Sequence, residues 1–208
     1  MKTSDFRFDP SQVRTGYSHS TIFKEDGFGM NYCSSCGVRV LTQVPEGDHL
    51  PRQVCPSCHT IHYSNPKILV GAIPVWERKI LLCRRAIAPR EGYWTMPSGF
   101  MENGETLQMG AARETFEESL ARVTIEDLMS VINIAAHNQV HILFRAQMDS
   151  PEHGVTLESS EVRFFEEAEI PWADLAFRTV TQALTHFVED RQRGQRTLHL
   201  VDLETTRP

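Results

Sequence analysis

The sequence lacks the features that direct a protein to a membrane or to nucleic acid. Nowhere do eighteen apolar residues stand together, so no transmembrane helix is predicted. Positive charge is scarce: 27 Asp and Glu outnumber 21 Lys and Arg, for a formal net charge of −6, which is a poor match for duplex DNA or an anionic membrane. The N-terminus shows no basic segment followed by an apolar one, as a signal peptide would. We therefore expect a cytoplasmic protein with no membrane partner, and nucleic acid is not its expected ligand.

Enough apolar sequence is present to build a folded protein. A hydrophobic fraction of 40% over 208 residues excludes a wholly disordered chain. Strands are predicted at 67–75, 79–84, 122–134, 140–148 and 162–165, and helices at 106–120 and 177–191. This mixture of strands and helices indicates an α+β or α/β fold.

Four of the five cysteines have the spacing of a zinc site. The pattern is Cys33-x-x-Cys36, then eighteen residues, then Cys55-x-x-Cys58. Two residues between thiols allow both sulfurs to reach one tetrahedral ion. We predict that these four cysteines bind a structural Zn²⁺. The fifth, Cys83, stands in an apolar run and is predicted to be buried.

Other interpretations of the cysteines are open at this point. Two disulfides would need an oxidising compartment. The sequence Cys55-Pro-Ser-Cys58-His59 also matches the attachment pattern of c-type haem, which would leave the first pair unexplained. His59 or His62 could replace one thiolate as a zinc ligand.

Acidic residues become dense and ordered near residue 114. On the predicted helix, Glu114, Glu117 and Glu118 stand at i, i+3 and i+4, so their carboxylates share one face. A solvated charged face is the simplest explanation of such a group. A bound cation would remove their mutual repulsion, and carboxylate oxygens favour Mg²⁺ or Mn²⁺ over zinc. Arg113 stands four residues before Glu117 and can pair with it, while Glu105 can accept from Arg113 or from the helix start.

The segment around these acids resembles the signature of a known family. The spacing Gly99-x5-Glu105-x7-Arg113-Glu114-x-x-Glu117-Glu118 is similar to the Nudix box, and the preceding Gly-Tyr-Trp-Thr-Met-Pro-Ser at 92–98 is similar to the family's lead-in to that box. Two positions depart from the pattern: Thr115 replaces an apolar residue, and Leu120-Ala121 replaces the closing glycine and its apolar neighbour. These departures bear on the turn that ends the helix.

The resemblance implies a fold and a domain order. The fold is α+β, an α/β/α sandwich with a mixed sheet, preceded by a small zinc ribbon. We expect an N-terminal tail at 1–29 that is open to disorder, the ribbon at 30–65, the Nudix domain at 66–192 and a C-terminal tail at 193–208. Related enzymes are often homodimers, which makes a homodimer an expectation of the resemblance.

The resemblance also implies roles for individual residues. Glu114, Glu117, Glu118 and the carbonyl of Ser98 would bind Mg²⁺, and cleavage of a diphosphate bond by water would follow. The base would be a box glutamate, Glu117 or Glu118, or an acid of a later loop, for which Glu161, beside Glu158, is the candidate. The residues expected to contact the substrate are Arg84, Arg85 and Glu102.

The substrate expected from the resemblance is a dinucleotide. A ribbon followed by this box is similar to bacterial proteins related to plant FAD pyrophosphatases, so FAD or ADP-ribose is preferred. NADH or NAD-capped RNA is the alternative, and it is disfavoured because the Ser-Gln-Pro-Trp-Pro-Phe-Pro motif of NADH pyrophosphatases does not follow the box. A non-catalytic module that senses nucleotides is the second alternative.

Overall fold

A computed structural model describes residues 30–204. The chain divides into two compact units between Ser64 and Asn65. The predicted tail at 1–29 lies outside the described residues. Within 30–204, no helix is long and apolar enough to cross a membrane.

The first unit is a small antiparallel sheet with very little hydrophobic core. Its strands are β1 (Leu41–Gln43), β2 (Arg52–Val54) and β3 (Ile61–His62), paired in the order β1-β2-β3. All three residues of β1 are exposed, and Val54 is the one buried side chain in the three strands. A unit this short needs a further source of stability.

The second unit is built on an eight-stranded sheet. Its strands are β4 (Lys67–Trp76), β5 (Lys79–Arg85), β6 (Trp94–Thr95), β7 (Ser98–Phe100), β8 (Val123–Ile134), β9 (Gln139–Met148), β10 (Ser159–Phe165) and β11 (His199–Asp202). The order is β10-β5-β4-β9-β8-β11, with β6 paired to β5 and β7 to β4. The β4–β9 and β8–β11 pairs are parallel and the others antiparallel, so the sheet is mixed, as predicted.

Two helices pack on opposite faces of this sheet. They are α1 (Leu107–Ser119) and α2 (Arg178–Arg193). Alternation along β4 directs Val70 and Ala72 to the α1 side and Ile73 to the α2 side. The larger core lies under α2 and includes Ile80, Leu82, Leu143, Phe165, Leu184 and Phe187. The predicted α/β/α sandwich is thereby confirmed.

Three short strands of the second unit were not predicted from the sequence. β6 and β7 lie in a segment interpreted as loop, and β11 lies in the segment interpreted as a C-terminal tail, 193–208. Strands of two to four residues are too short for hydrophobic alternation to be recognised. β11 is also defined by a distant partner, because Leu200 pairs with Val131 of β8.

Candidate active site

The three helical glutamates do not have equivalent surroundings. Helix α1 is capped by Thr106, whose hydroxyl accepts the Met109 N–H at 3.2 Å. Glu118 is 6% exposed, and Glu114 is also largely buried. Glu117 projects outward, with 53% of its side chain exposed. Two of the three helical glutamates, Glu114 and Glu118, are therefore directed into the protein.

Strand β7 forms the floor of the site beneath these two acids. The Ser98 N–H donates to Oε2 of Glu118 at 3.1 Å. Glu114 lies directly against Gly99, where an added Cβ would overlap all three atoms of the Glu114 carboxylate. The glycine is therefore required by close approach of a side chain, and its φ is not in the left-handed region.

Glu118 is difficult to ionise in this environment. Burial raises the pKa of Glu118 to about 8, and the negative charges of Glu114 and Glu158 act in the same direction. The Ser98 N–H and the charge of Arg85 act in the opposite direction. Burial also raises the pKa of Glu114. A nearby cation would stabilise the ionised form of both buried acids.

Arg113 orients the acids through a set of hydrogen bonds. Its guanidinium donates to both oxygens of Glu105, at 2.9 and 2.8 Å, and its Nη1 donates to Glu114 and Glu117, each at 2.8 Å. A further bond joins Nη2 to the Phe100 carbonyl at 3.1 Å. The bonds from Arg113 lower the pKa of Glu105 to about 2. The predicted contacts of Arg113 with Glu117 and Glu105 are confirmed.

These residues have the donor chemistry of a site for a hard divalent cation. All the side-chain donors are carboxylates, which Mg²⁺ and Mn²⁺ prefer. Glu118 accepts the Ser98 N–H, Glu114 lies against Gly99, the next residue of β7, and no cationic side chain hydrogen-bonds Glu118 in the described part of the chain. The three carboxylates are not gathered as closely as the thiols described next.

The four cysteines of the first unit form a compact cluster. The Sγ atoms of Cys33 and Cys58 lie 3.6 Å apart, those of Cys36 and Cys55 lie 3.4 Å apart, and all four fall within 4.8 Å of one another. A tetrahedral ion with Zn–S bonds of about 2.3 Å places thiolates about 3.8 Å apart. No disulfide joins these cysteines. Both the spacing and the ligand type therefore fit Zn²⁺.

Comparison with known families identifies both units. A model described as Nudix N-terminal matches residues 31–64, and the NUDIX domain model matches residues 66–187. The second match covers more than half of the chain. The chain belongs to the Nudix family. The match to the first unit identifies that unit as the zinc ribbon of Nudix proteins.

Curated relatives of this Nudix chain act on different nucleotides. It is 27% identical to an ADP-ribose pyrophosphatase of Methanocaldococcus jannaschii over 52% of this chain and 67% of that one. It is 34% identical to the NAD-capped RNA hydrolase NudC of Vibrio vulnificus over 46% of this chain and 34% of that one. The chain thus spans between about a third and two thirds of the length of these two relatives.

A solved structure matches the Nudix chain over a larger share of its length. It is the crystal structure of a NUDIX hydrolase from Nitrosomonas europaea, 53% identical, with a TM-score of 0.83. The match covers 85% of this chain and 100% of that one. The fold and the family are therefore supported by a protein of similar extent.

The two arginines predicted to contact substrate have different surroundings. Arg84 lies 3.5 Å from Glu161, and both side chains are half exposed. Arg85 donates from Nε to the Pro89 carbonyl at 2.8 Å, and its charge acts on Glu118. Arg85 therefore contributes to the electrostatics of the acids, whereas Arg84 is paired with the predicted base.

The remaining predicted contacts are placed as follows. Glu102 has an exposed side chain, and its N–H donates to Glu105 at 2.7 Å. Trp94 is a core residue, with an edge-to-face contact to Phe165 at 4.9 Å between ring centres. Cys83 is fully buried, as predicted.

A further acid, Glu158, belongs to the surroundings of the site. It ends the loop at 149–158 between β9 and β10, and its charge acts on both Glu114 and Glu118. The loop is held at its middle and at its last residue: the Gly154 N–H donates to the Ser119 carbonyl at the end of α1, and the Ala86 N–H donates to the Glu158 carbonyl, each at 2.8 Å. Glu158 could not be preferred over Glu161 from the sequence, because a loop has no periodicity that assigns a side to each residue.

Proposed function

We propose that the protein is a Mg²⁺-dependent hydrolase that cleaves the diphosphate bond of a nucleoside diphosphate linked to another moiety. The observation that carries the proposal is the burial of Glu118 beside Glu114 on the β7 backbone. Burying these two acids is costly without a cation, and a divalent ion together with a diphosphate would make the arrangement favourable.

The metal would be held by the side chains of Glu114 and Glu118, by the Ser98 carbonyl, and by Glu117 directly or through water. When bound, Mg²⁺ or Mn²⁺ supplies charge neutralisation for the diphosphate oxygens. Arg113 fixes Glu114 and Glu117, so that neither carboxylate has to be ordered when substrate arrives.

The reaction is the attack of water on one phosphorus of the diphosphate. The new bond joins the water oxygen to phosphorus, the bond to the bridging oxygen breaks, and the water proton passes to a carboxylate. We assign that carboxylate to Glu158, because its charge reaches both Glu114 and Glu118, whereas Glu161 is engaged by Arg84. The sequence-based candidate, Glu161, stays a prediction that the variants below test.

FAD and ADP-ribose are the preferred substrates. Similarity to an ADP-ribose pyrophosphatase over two thirds of that relative supports this choice. The alternative, NADH or NAD-capped RNA, is supported by similarity to NudC over about a third of that protein. A third candidate, a module that binds nucleotides without turnover, is distinguished from both by the same assay.

The decisive experiment is a substrate panel with product identification by mass spectrometry. FAD, ADP-ribose, NADH and NAD-capped RNA are incubated with the zinc-loaded protein, with and without Mg²⁺. Release of AMP from FAD or ADP-ribose is expected only with Mg²⁺, and Glu118→Gln should reduce its rate by about 100-fold or more. Binding without turnover of any of the four would favour the sensing module and reject the hydrolase.

The base is tested with a matched pair of variants. Glu158→Gln should lower kcat by about 10²- to 10⁴-fold while the Mg²⁺ dependence stays unchanged. Glu161→Gln removes the same charge three residues later and should leave kcat close to that of the unmodified protein. The opposite result would restore Glu161 as the base.

A further inference from the structure

The residue that follows helix α1 is a leucine in a backbone conformation that glycine adopts more easily. Leu120 has a φ of +57°, which puts a residue with a Cβ in the left-handed region. In the sequence it stands where the Nudix box usually has its closing glycine. Leu120 is 46% exposed, so burial in the core does not account for a leucine here. A strained and half-exposed apolar residue, two positions after Glu118, requires a local explanation.

The Leu120 side chain lies close to the loop at 149–158, which leads to Glu158. An added Cβ on Gly154 of this loop would lie 3.1 Å from Cδ1 of Leu120 and 4.0 Å from its Cγ. Beside this contact, the Gly154 N–H donates to the Ser119 carbonyl at 2.8 Å. One backbone hydrogen bond and one apolar contact therefore join the loop to the end of α1.

The segment between Gly154 and Glu158 has little packing of its own. Val155 is 61% exposed and Leu157 is 95% exposed. The Thr156 hydroxyl accepts the Glu158 N–H at 3.2 Å and makes a local turn. Strand β10 begins directly after Glu158 and contacts α1. The position of the turn therefore depends on the anchors on either side of it, and Gly154 provides the anchor on the end of α1.

We propose that Leu120 is a positioning residue that holds the loop at 149–158 on the end of α1 and thereby keeps Glu158 beside the two buried acids. Its part in catalysis rests on the proposed function, in which Glu158 takes the water proton. Both residues of the tether on the helix side, Ser119 and Leu120, directly follow Glu118, so displacement of the loop changes the surroundings of that acid. The apolar contact with Gly154 offsets the conformational cost of the left-handed region.

Three substitutions separate the side-chain contact from the backbone conformation. Leu120→Gly removes the contact and also relieves the left-handed strain, so the melting temperature should change little. Leu120→Met keeps a flexible apolar chain that can reach Gly154 and should behave like the unmodified protein. Met109→Ala is the matched control, because Met109 is an apolar residue of α1 that is 59% exposed and lies near the other end of the helix. All variants are made in the full, zinc-loaded chain.

The first measurement is hydrogen exchange at the Gly154 amide, observed by NMR without substrate. In Leu120→Gly this N–H should exchange about 5- to 10-fold faster at neutral pH, because the apolar contact that restrains it is lost. Leu120→Met and Met109→Ala should leave the rate close to that of the unmodified protein. An unchanged rate in Leu120→Gly would overturn the proposal, whatever the activity of the protein.

The second measurement is turnover of ADP-ribose with Mg²⁺, or of the compound in the substrate panel that is cleaved fastest. Leu120→Gly should lower kcat about 10-fold or more with little change in KM, since a displaced Glu158 affects the reacting water and not the binding of the diphosphate. In a Glu158→Gln background the same substitution should have no further effect, because the group that it positions is already absent. An equal loss in both backgrounds would show that Leu120 acts through another group and would overturn the proposal.

These two measurements distinguish failure of this proposal from failure of the proposed function. Unchanged kcat in Glu158→Gln alone would reject the assigned base and, with it, the part of Leu120 in catalysis. Faster exchange of the Gly154 N–H in Leu120→Gly would then still establish that the leucine holds the loop. Restored kcat and slow exchange in Leu120→Met are expected only if the apolar contact itself is what positions Glu158.

Discussion

Glu118 has a structural cost, and the proposed function gives it the role of a metal ligand. It is almost fully buried, and burial raises its pKa to about 8. A folded-state pKa above that of the unfolded chain means that the unfolded chain releases its proton more easily. Without metal, stability therefore declines as pH rises from the ordinary value of Glu, 4.5, to about 8. A cation bound as proposed would stabilise the same ionised carboxylate.

Replacing Glu118 by Gln should stabilise the metal-free protein. The Gln oxygen can still accept the Ser98 N–H, and no charge is buried. At pH 8 we expect a gain on the order of 2–4 kcal/mol in the free energy of unfolding over the unmodified protein, and little difference at pH 4.5. Mg²⁺ should raise the melting temperature of the unmodified protein and not that of the variant. Calorimetry at both pH values checks this, and a variant less stable at pH 8 would contradict it.

The chemistry of this site was predictable to different degrees at different residues. The positions of Glu114, Glu117 and Glu118 follow from helical spacing, and Arg113 is near enough in sequence for its pairing to follow too. Glu158 and Arg85 were not assignable, because their influence on Glu118 depends on a loop and a strand end far away in sequence. The contact of Gly99 with Glu114 depends equally on the β4–β7 pairing.

Helix α1 ends in a left-handed turn that is made by a leucine. Its last residue is followed by Leu120, which has a φ of +57° and donates its N–H to Phe116 at 2.8 Å. The turn that glycine usually provides is therefore made by a leucine in the left-handed region, at a conformational cost of about 1–2 kcal/mol. The departure seen in the sequence changes the residue but leaves the turn in place.

At Gly110 in α1, helix propensity alone predicts the wrong sign for the stability change caused by substitution with alanine. Alanine is preferred to glycine in helices by about 1 kcal/mol. A Cβ at Gly110 would however lie 2.6 Å from a Glu105 oxygen and 2.8 Å from a Val70 methyl group. Val70 is fully buried and Glu105 is held by Arg113, so neither can move freely. Gly110→Ala should therefore lower stability by about 1–3 kcal/mol.

The control for this prediction is Gln108→Ala in the same helix. Gln108 is exposed, so its substitution should change stability by less than about 0.5 kcal/mol. Urea unfolding followed by circular dichroism measures both variants. A stabilised Gly110→Ala would show that Glu105 and Val70 yield without cost.

Helices and strands with strong hydrophobic periodicity were predictable from the sequence. Strands that form only by pairing with a strand distant in sequence were not. The strands β4, β5, β8 and β9 and both helices were predicted with small shifts at their ends. β11 was missed because four residues of mixed polarity form a strand only when an open edge is available beside them. Its partner, β8, lies about 65 residues earlier in the chain.

At the scale of the molecule, β11 completes both a sheet and a buried charge network. Asp190 of α2 is 1% exposed and pairs with the buried Arg145 of β9. It also accepts the Thr197 N–H at 3.1 Å and lies 3.1 Å from Nε2 of His199. Two of its three partners therefore come from the segment after the helix.

A chain ending at residue 192, the predicted domain boundary, should be strongly destabilised. It would lose the β8–β11 pairing and leave Asp190 and Arg145 without Thr197 and His199. Breaking a buried network of this kind costs about 3–5 kcal/mol. Thermal unfolding and size-exclusion chromatography of chains ending at 192 and at 204 provide the comparison. Only the shorter one should melt earlier and aggregate; equal behaviour would contradict the role given to β11.

The position of β11 in the chain has a consequence for synthesis. During translation β8 is made before β11 (His199–Asp202), the strand that pairs with its edge. About 65 residues separate the end of β8 from the start of β11. Until those residues have emerged, the nascent Nudix domain carries an unpaired sheet edge, the kind of surface that joins neighbouring chains. Slow translation or premature arrest in this interval should therefore make the chain dependent on chaperones.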